Sequence, residues 1–260
     1  MTDATAGTGA DEERLTQFSR LLLLADFDES DLARLQTQRV LIVGLGGLGS
    51  PVALYLAKSG LAEIRLADFD TVSLSNLPRQ VLYGPQDIGR PKAEALAEAL
   101  GRLAPQTRFT AATEKADAQT LTAWVEATDL VLDCTDQFST RQAINRACQR
   151  AKKPLVSAAA LQWSGQLLVI DPAQPGSGCY ACLFDPASPP VEAACGAYGV
   201  MSTAVGTMGL LAANEALKIL LGQTPATGRL TVFDAKEPRL DTLRFRARSA
   251  CPVCQVPEAT

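Results

Sequence analysis

The stretch Arg39-Val40-Leu41-Ile42-Val43-Gly44-Leu45-Gly46-Gly47-Leu48-Gly49 decides how this chain folds. Val40 to Val43 are four consecutive apolar residues, three of them β-branched, as a strand covered on both faces requires. Gly44, Gly46 and Gly49 then fit G-x-G-x-x-G. The first glycine permits a tight turn, the second lets backbone approach a phosphate, and the third lets a helix pack on the strand. That helix, over about Gly47 to Ser59, aims free N–H groups and a positive dipole end at the anion. A second apolar strand, Glu63 to Ala67, ends at Asp68, which lies 19 residues beyond Gly49. A carboxylate there suits ribose hydroxyls. Strand, turn, helix and acid in this order predict a nucleotide site rather than a bare structural turn.

At 260 residues the chain is long for one domain and short for two, so one large α/β domain with appendages is expected. A polar, acidic tail over 1–13, read as disordered, precedes a single domain over 14–255. Its nucleotide-binding core runs over about 39–170, and its remaining portion over 171–255. A net charge of −4 gives no reason to expect nucleic acid or an anionic membrane. The N-terminus lacks the basic and apolar regions of a signal peptide. The longest apolar stretch, Val200 to Leu221, is interrupted by Asn214, Glu215 and Lys218, which argues against a membrane span. There is no histidine, so histidine triads, histidine bases and histidine metal ligands are excluded.

Outward from the glycine turn, Leu15 to Leu24 reads as an amphipathic helix carrying Arg20. A second helix starts at Ser30, which caps it. Beyond Asp68, the loop Asp70 to Gln80 follows a strand's C-terminal end, the side where open α/β sheets bind ligands, so Arg79 can point into the site. Pro91 opens the next helix, with Lys92 at its N-terminus. A cation there opposes the helix dipole, which suggests an anion nearby. On chemistry alone Arg79 and Lys92 are either phosphate contacts or ordinary surface charge. Strands are expected over Arg108 to Ala112 and Asp129 to Asp133, with a helix over Gln119 to Ala127 between them. Asp136 then follows a strand end, as a magnesium ligand, a cap for the helix Gln137 to Ala151, or both. Cys134 and Cys148 read as buried apolar residues. Strands over Leu155 to Ser157 and Gln166 to Ile170 complete a doubly wound, mostly parallel, Rossmann-like sheet. Leu230 to Phe233 and Asp241 to Arg246 add an antiparallel pair. Ser202 to Leu221 reads as a long helix of small residues, suited to close packing, including a dimer interface.

Cys179-Tyr180-Ala181-Cys182 and Cys251-Pro252-Val253-Cys254 are separated by 68 residues. Two such C-x-x-C pairs make a closed tetrahedral knuckle, for which zinc is the commonest occupant, and its role is structural. This use of cysteine fits a reducing, cytoplasmic compartment. Cys195 lies outside both pairs in a proline- and alanine-rich region, where a reactive and a structural role stay open.

Together these residues resemble the MoeB/ThiF adenylyltransferases, bacterial relatives of the ubiquitin-activating enzymes, over about residues 14 to 255. The resemblance rests on Gly44 to Gly49, Ala67-Asp68-Phe69-Asp70, Ser75-Asn76-Leu77-Pro78-Arg79-Gln80, Pro91-Lys92, Asp133-Cys134-Thr135-Asp136 and both cysteine pairs. It implies ATP-dependent adenylation of the C-terminal glycine carboxylate of a small ubiquitin-fold sulfur carrier, giving an acyl-adenylate and pyrophosphate. The molybdopterin-synthase small subunit is the carrier of choice, because Gly49 to Leu56 and Lys153 to Ser157 look closest to MoeB-type chains. The thiamine-pathway carrier is the alternative.

By matched position, Gly44, Gly46, Gly47 and Gly49 hold the nucleotide with Asn76, and Asp68 holds the ribose. Arg79 and Lys92 bind phosphates, and Asp136 binds magnesium. Arg20 matches an arginine that reaches the site from the neighbouring subunit of a homodimer, and Cys195 matches a thiol that some members use in sulfur transfer. The four cysteines match a zinc site. No rhodanese-like stretch follows Thr260, so a separate sulfurtransferase or cysteine desulfurase is expected as sulfur donor. Departures from the family pattern fall at Gln17, Leu21, Pro78, Gln137 and Tyr198. An already ionised terminal carboxylate needs no general base, which suits a chain without histidine. Two other readings remain: an NAD-dependent dehydrogenase, and a non-catalytic module that binds a ubiquitin-like protein.

Overall fold

The computed structural model describes residues 6–174, 176–188, 198–223 and 227–255, with side chains from Glu12 onward. Eight strands form one sheet in the order β3-β2-β1-β4-β5-β6-β7-β8. They are β1 (Arg39–Val43), β2 (Glu63–Ala67), β3 (Arg108–Ala112), β4 (Leu130–Asp133), β5 (Leu155–Leu161), β6 (Ser164–Ile170), β7 (Arg229–Asp234) and β8 (Arg239–Arg244). β1 to β5 are mutually parallel, and β6, β7 and β8 extend the sheet antiparallel. The expected doubly wound sheet with an antiparallel C-terminal extension is therefore the architecture found.

The parallel strands serve two cores at once. Val40 and Ile42 of β1 face one cluster, with α2 (Glu29–Leu35), α3 (Gly49–Lys58), α4 (Lys92–Leu103) and α8 (Ser202–Leu220). Leu41 faces the other, with α5 (Ala118–Glu126), α6 (Phe138–Ala151) and α7 (Tyr180–Leu183). This alternation explains the unbroken apolar run in the sequence, because both faces are covered. The close packing expected of the small residues in α8 occurs within the chain. A Cβ on Gly209 would sit 2.7 Å from the Pro51 ring of α3, whereas Gly206 faces open space.

The N-terminal region departs from expectation. Helix α1 spans Ala6–Phe18, beginning inside the stretch read as a disordered tail and ending before Leu24. Turns follow as far as Phe27. Phe18 is buried with its ring against Gly60, in the same core cluster as Leu32. Asp28 rather than Ser30 caps α2: its carboxylate accepts the N–H groups of Ser30 and Asp31 at 2.7 and 3.1 Å. Asp and Ser are comparable caps, and the acid sits one residue before the helix, where capping geometry requires it.

Candidate active site

The strand order reverses direction between β1 and β4, and an open cleft of about 1430 Å³ lies at their C-terminal ends. Gly44, Gly46, Gly47, Asp68, Asn76, Arg79, Lys92 and Asp136 all line it. Residues spread over 93 positions of the chain (44 to 136) thus share one cleft.

Each glycine in the loop has its own reason. Gly44 has φ +86°, and a Cβ there would sit 2.7 Å from the Cys134 carbonyl oxygen. A Cβ on Gly49 would overlap the Gly44 carbonyl, so helix α3 could not start so close to β1. Gly47 lines the cleft and is also pressed against Val205 and the Arg79 carbonyl, so packing constrains it as well. At Gly46 a Cβ would meet only the Gln80 amide, 3.4 Å away. Space for an approaching phosphate is therefore available at Gly46.

Asp68 is tied to this loop. Its Oδ2 accepts the Leu45 N–H at 2.7 Å and its Oδ1 accepts the Asp70 N–H at 2.9 Å. Burial raises its pKa above the ordinary carboxylate value, and nearby Lys92 opposes that rise. Lys92 is buried and its ammonium meets the Asp70 carboxylate at 2.9 Å. The anion inferred from Lys92's position at a helix start includes this acid. Arg79 is half-buried and donates to the Ser75 carbonyl at 2.9 Å. Asn76 accepts the Ser73 N–H at 3.3 Å, fixing the short 3₁₀ turn that presents Arg79.

Asp136 is exposed and lines the cleft. Gln137, not Asp136, occupies the N-cap position of α6. The loop bearing Asp136 is held from below by a network that sequence reasoning missed. Buried Asp133 accepts from the Thr135 N–H and hydroxyl at 3.1 and 2.7 Å and from the Ser157 hydroxyl at 2.9 Å. Arg141, also buried, donates to Ser157, to the Ala158 carbonyl and to the Thr135 carbonyl. The sequence signal was an arginine three and seven residues before the apolar Ile144 and Cys148, on one helix face with them. Gln80 was also overlooked. It is buried, it lines the cleft, and its Oε1 has no hydrogen-bond partner among the described residues.

Arg20 sits on an exposed turn and is absent from the lining of this cleft. Within one chain it does not join the site. Cys195 lies outside the described residues. Cys134 and Cys148 are buried, as expected, and burial pushes both thiols well up.

The four remaining cysteines meet where α7 and the chain around Cys251 pack in the buried cluster that includes α6. Cys179 lies 3.9 Å from Cys182 and 3.7 Å from Cys251, and Cys182 lies 3.5 Å from Cys254, sulfur to sulfur. All four sulfurs fall within 4.8 Å of one another. A tetrahedral zinc with bonds of about 2.3 Å needs sulfur–sulfur edges of about 3.8 Å. The donor set therefore fits a zinc-sized ion. The Arg248 N–H points at Cys182 Sγ, 3.4 Å away. Burial, helped by the neighbouring Cys182 and Cys251 thiols and opposed by a hydrogen bond from Asn145, pushes the Cys179 thiol up to about 11. A divalent cation reverses that preference, because thiolate is the ligand form.

A doubly wound sheet with such a cleft at its switch point is, as a class, a nucleotide-binding α/β protein. Comparison with known sequences is more specific: the ThiF family model matches residues 18–254, and the chain belongs to that family. It is 44% identical over 239 residues to the sulfur carrier protein ThiS adenylyltransferase of Escherichia coli K12, covering 92% of this chain and 94% of that one. Molybdopterin-synthase adenylyltransferase of the same strain is 40% identical over 248 residues, covering 94% and 97%. The adenylyltransferase and sulfurtransferase MOCS3 of Drosophila virilis matches at 39%, and the matched region is 54% of that protein. Among solved structures, E. coli MccB with succinimide aligns with a TM-score of 0.80, covering 92% of this chain and 74% of that one. At 22% identity that likeness is one of fold. Family and relatives together make the chain an enzyme of the nucleotidyltransferase type.

Proposed function

We propose that this enzyme adenylates the C-terminal glycine carboxylate of a small ubiquitin-fold sulfur carrier, with magnesium-bound ATP as co-substrate. The observation that carries the reading is the convergence of Asp68, Asn76, Arg79, Lys92 and Asp136 on the cleft beside the glycine loop. The carboxylate attacks the α-phosphate, its new bond to phosphorus forming as the bond to pyrophosphate breaks. The attacking oxygen is already ionised, so no proton has to be removed. What the reaction needs is alignment of two anions and neutralisation of the charge gathering on the phosphates.

In this reading the glycine loop and the start of α3 receive the phosphates, and Asp68 accepts from the ribose. Asn76, Arg79 and Lys92 contact the phosphates, and Asp136 holds the magnesium of the nucleotide. Arg20 from a second copy of the chain completes the phosphate site in a cytoplasmic homodimer. Zinc on Cys179, Cys182, Cys251 and Cys254 supplies a cross-link and no chemistry. Cys195 is reserved for later sulfur transfer, with a sulfurtransferase or cysteine desulfurase as donor, because adenylation itself needs no thiol. The cleft exceeds the roughly 300–1,000 Å³ of an ordinary small-molecule pocket, which favours a nucleotide together with a peptide tail over a nucleotide alone.

The molybdopterin-synthase small subunit is the first carrier. The thiamine-pathway carrier is the second, favoured by the higher identity to the ThiS enzyme, 44% against 40%. ATP–pyrophosphate exchange measured with each purified carrier decides between them. Exchange with one carrier and not the other assigns the pathway. No exchange with either, by protein that still binds magnesium-ATP, refutes the adenylation reading.

A further inference from the structure

Tyr83 is a buried phenol that the reading above does not use. It is not among the residues lining the cleft. Its hydroxyl donates to the Leu45 carbonyl at 2.8 Å and lies 3.4 Å from the Lys92 carbonyl. Burial pushes the phenol well up, so it remains a donor at every usable pH. On the other side of the same residue, the Leu45 N–H is held by Asp68 at 2.7 Å. Leu45 is therefore fixed at both of its peptide groups, and its side chain is fully buried.

The peptide that follows matters most. In a planar trans peptide the N–H of one residue points opposite to the C=O of the residue before it. Tyr83 draws the Leu45 carbonyl toward the interior, so the Gly46 N–H is turned the other way. Gly46 lines the cleft, and it is the loop position where a side chain would meet least. We propose that Tyr83 is a positioning residue that aims the Gly46 N–H at the nucleotide phosphates and ties the glycine loop to the helix start bearing Lys92. The proposal rests on the adenylation reading for its kinetic readout, but not for its binding readout.

The mechanism makes a specific demand on kinetics. A preorganised backbone donor contacts ground state and transition state alike, so losing its alignment raises KM and leaves kcat in place. Tyr83→Phe keeps the ring and removes the hydroxyl. Loss of one neutral hydrogen bond is expected to weaken magnesium-ATP binding about five- to tenfold, by calorimetry and in KM. The kcat of carrier-dependent exchange should stay within about twofold. Amide exchange at Leu45 and Gly46 should accelerate, while the melting temperature falls by no more than about 3 °C.

Unchanged nucleotide affinity in Tyr83→Phe overturns the proposal. So does a variant that loses affinity together with cooperative melting, because Tyr83 would then serve the fold alone. Wild-type protein that binds magnesium-ATP but exchanges no pyrophosphate with any carrier would sink the adenylation reading, and calorimetry on Tyr83→Phe would still judge this one.

Discussion

Strand β4 is buried at all four of its residues, whereas β8 is exposed at all six. The centre and one edge of the sheet are held by different means. The parallel half, β1 to β5, is covered on both faces by α3, α4 and α8 on one side and α5 and α6 on the other. Burial of apolar surface supplies its stability, at about 25 cal/mol for each Å² removed from water. The antiparallel end has no such cover on β8. There the chain beyond Phe245 returns against α7, where four cysteine sulfurs cluster, and Cys179, Tyr180, Ala181 and Cys251 share a buried cluster with α6. Gly44, Asp68, Lys92 and Asp136 of the cleft belong to the parallel half, although the cleft also reaches β6, β7 and Tyr180, whereas the four clustered thiols come from chain beyond β6. Activity and stability should therefore be separable by mutation.

The largest effect is expected at the cleft. Asp136→Ala should reduce ATP–pyrophosphate exchange at least about a hundredfold, as loss of a charge-stabilising group does. Because Asp136 is exposed, the melting temperature should move by no more than about 2 °C. A large loss of stability would erase the proposed division between the halves. Next comes the knuckle. With zinc on the four thiols as proposed, Cys251→Ser should cost one equivalent of zinc, read by a chromogenic chelator, and lower the melting temperature by roughly 10 °C. Magnesium-ATP affinity should change less than about threefold. An equal loss of affinity would mean that the two regions act as one unit.

Within the glycine loop the comparison sharpens to two adjacent roles. Gly49→Ala forces a Cβ into the Gly44 carbonyl and should destabilise the protein by about 1–3 kcal/mol in urea melts. Gly46→Ala should leave stability within about 0.5 kcal/mol yet weaken magnesium-ATP binding, because its methyl group enters the space left for a phosphate. The reverse pattern would exchange the roles given to these glycines. The smallest effect concerns pH. Asp68 has a raised folded-state pKa, so its protonation favours the fold. That contribution is present below 3.8 and is lost as pH rises through the raised value. Binding through the ribose needs the carboxylate, so magnesium-ATP affinity should fall on acidification with a midpoint above 3.8. A midpoint at or below 3.8 would place Asp68 in a wetter site than described here.

Much of this site was legible before any coordinates because it is written locally. Gly44 to Gly49 and Asp68 follow from the chemistry of one strand–turn–helix unit and the strand beside it. The C-x-x-C pairs announce a tetrahedral site by spacing alone. Where the reading slipped, the deciding contact was remote. Helix α1 ends at Phe18, whose buried ring lies against Gly60, a residue no local pattern connects to it. Asp133, Ser157 and Arg141 lie on β4, β5 and α6, and nothing in their sequence neighbourhoods marks them as one network. Arg20 illustrates the same limit from the other side. Its position was read from resemblance, and within a single chain it stays outside the cleft.

By itself, the sequence determined the fold class, the glycine-rich turn after β1, the two cysteine pairs that come together and the absence of any imidazole chemistry. These depend on residue type, hydrophobic period and short spacings, which act over a few positions of chain. Only the tertiary structure decided that Lys92 is buried against Asp70, that Tyr83 grips the glycine loop and that Arg141 supports the loop of Asp136. Those are contacts between side chains and backbone far apart in sequence. Their partners are selected by the packing of helices on the sheet, which no local pattern encodes.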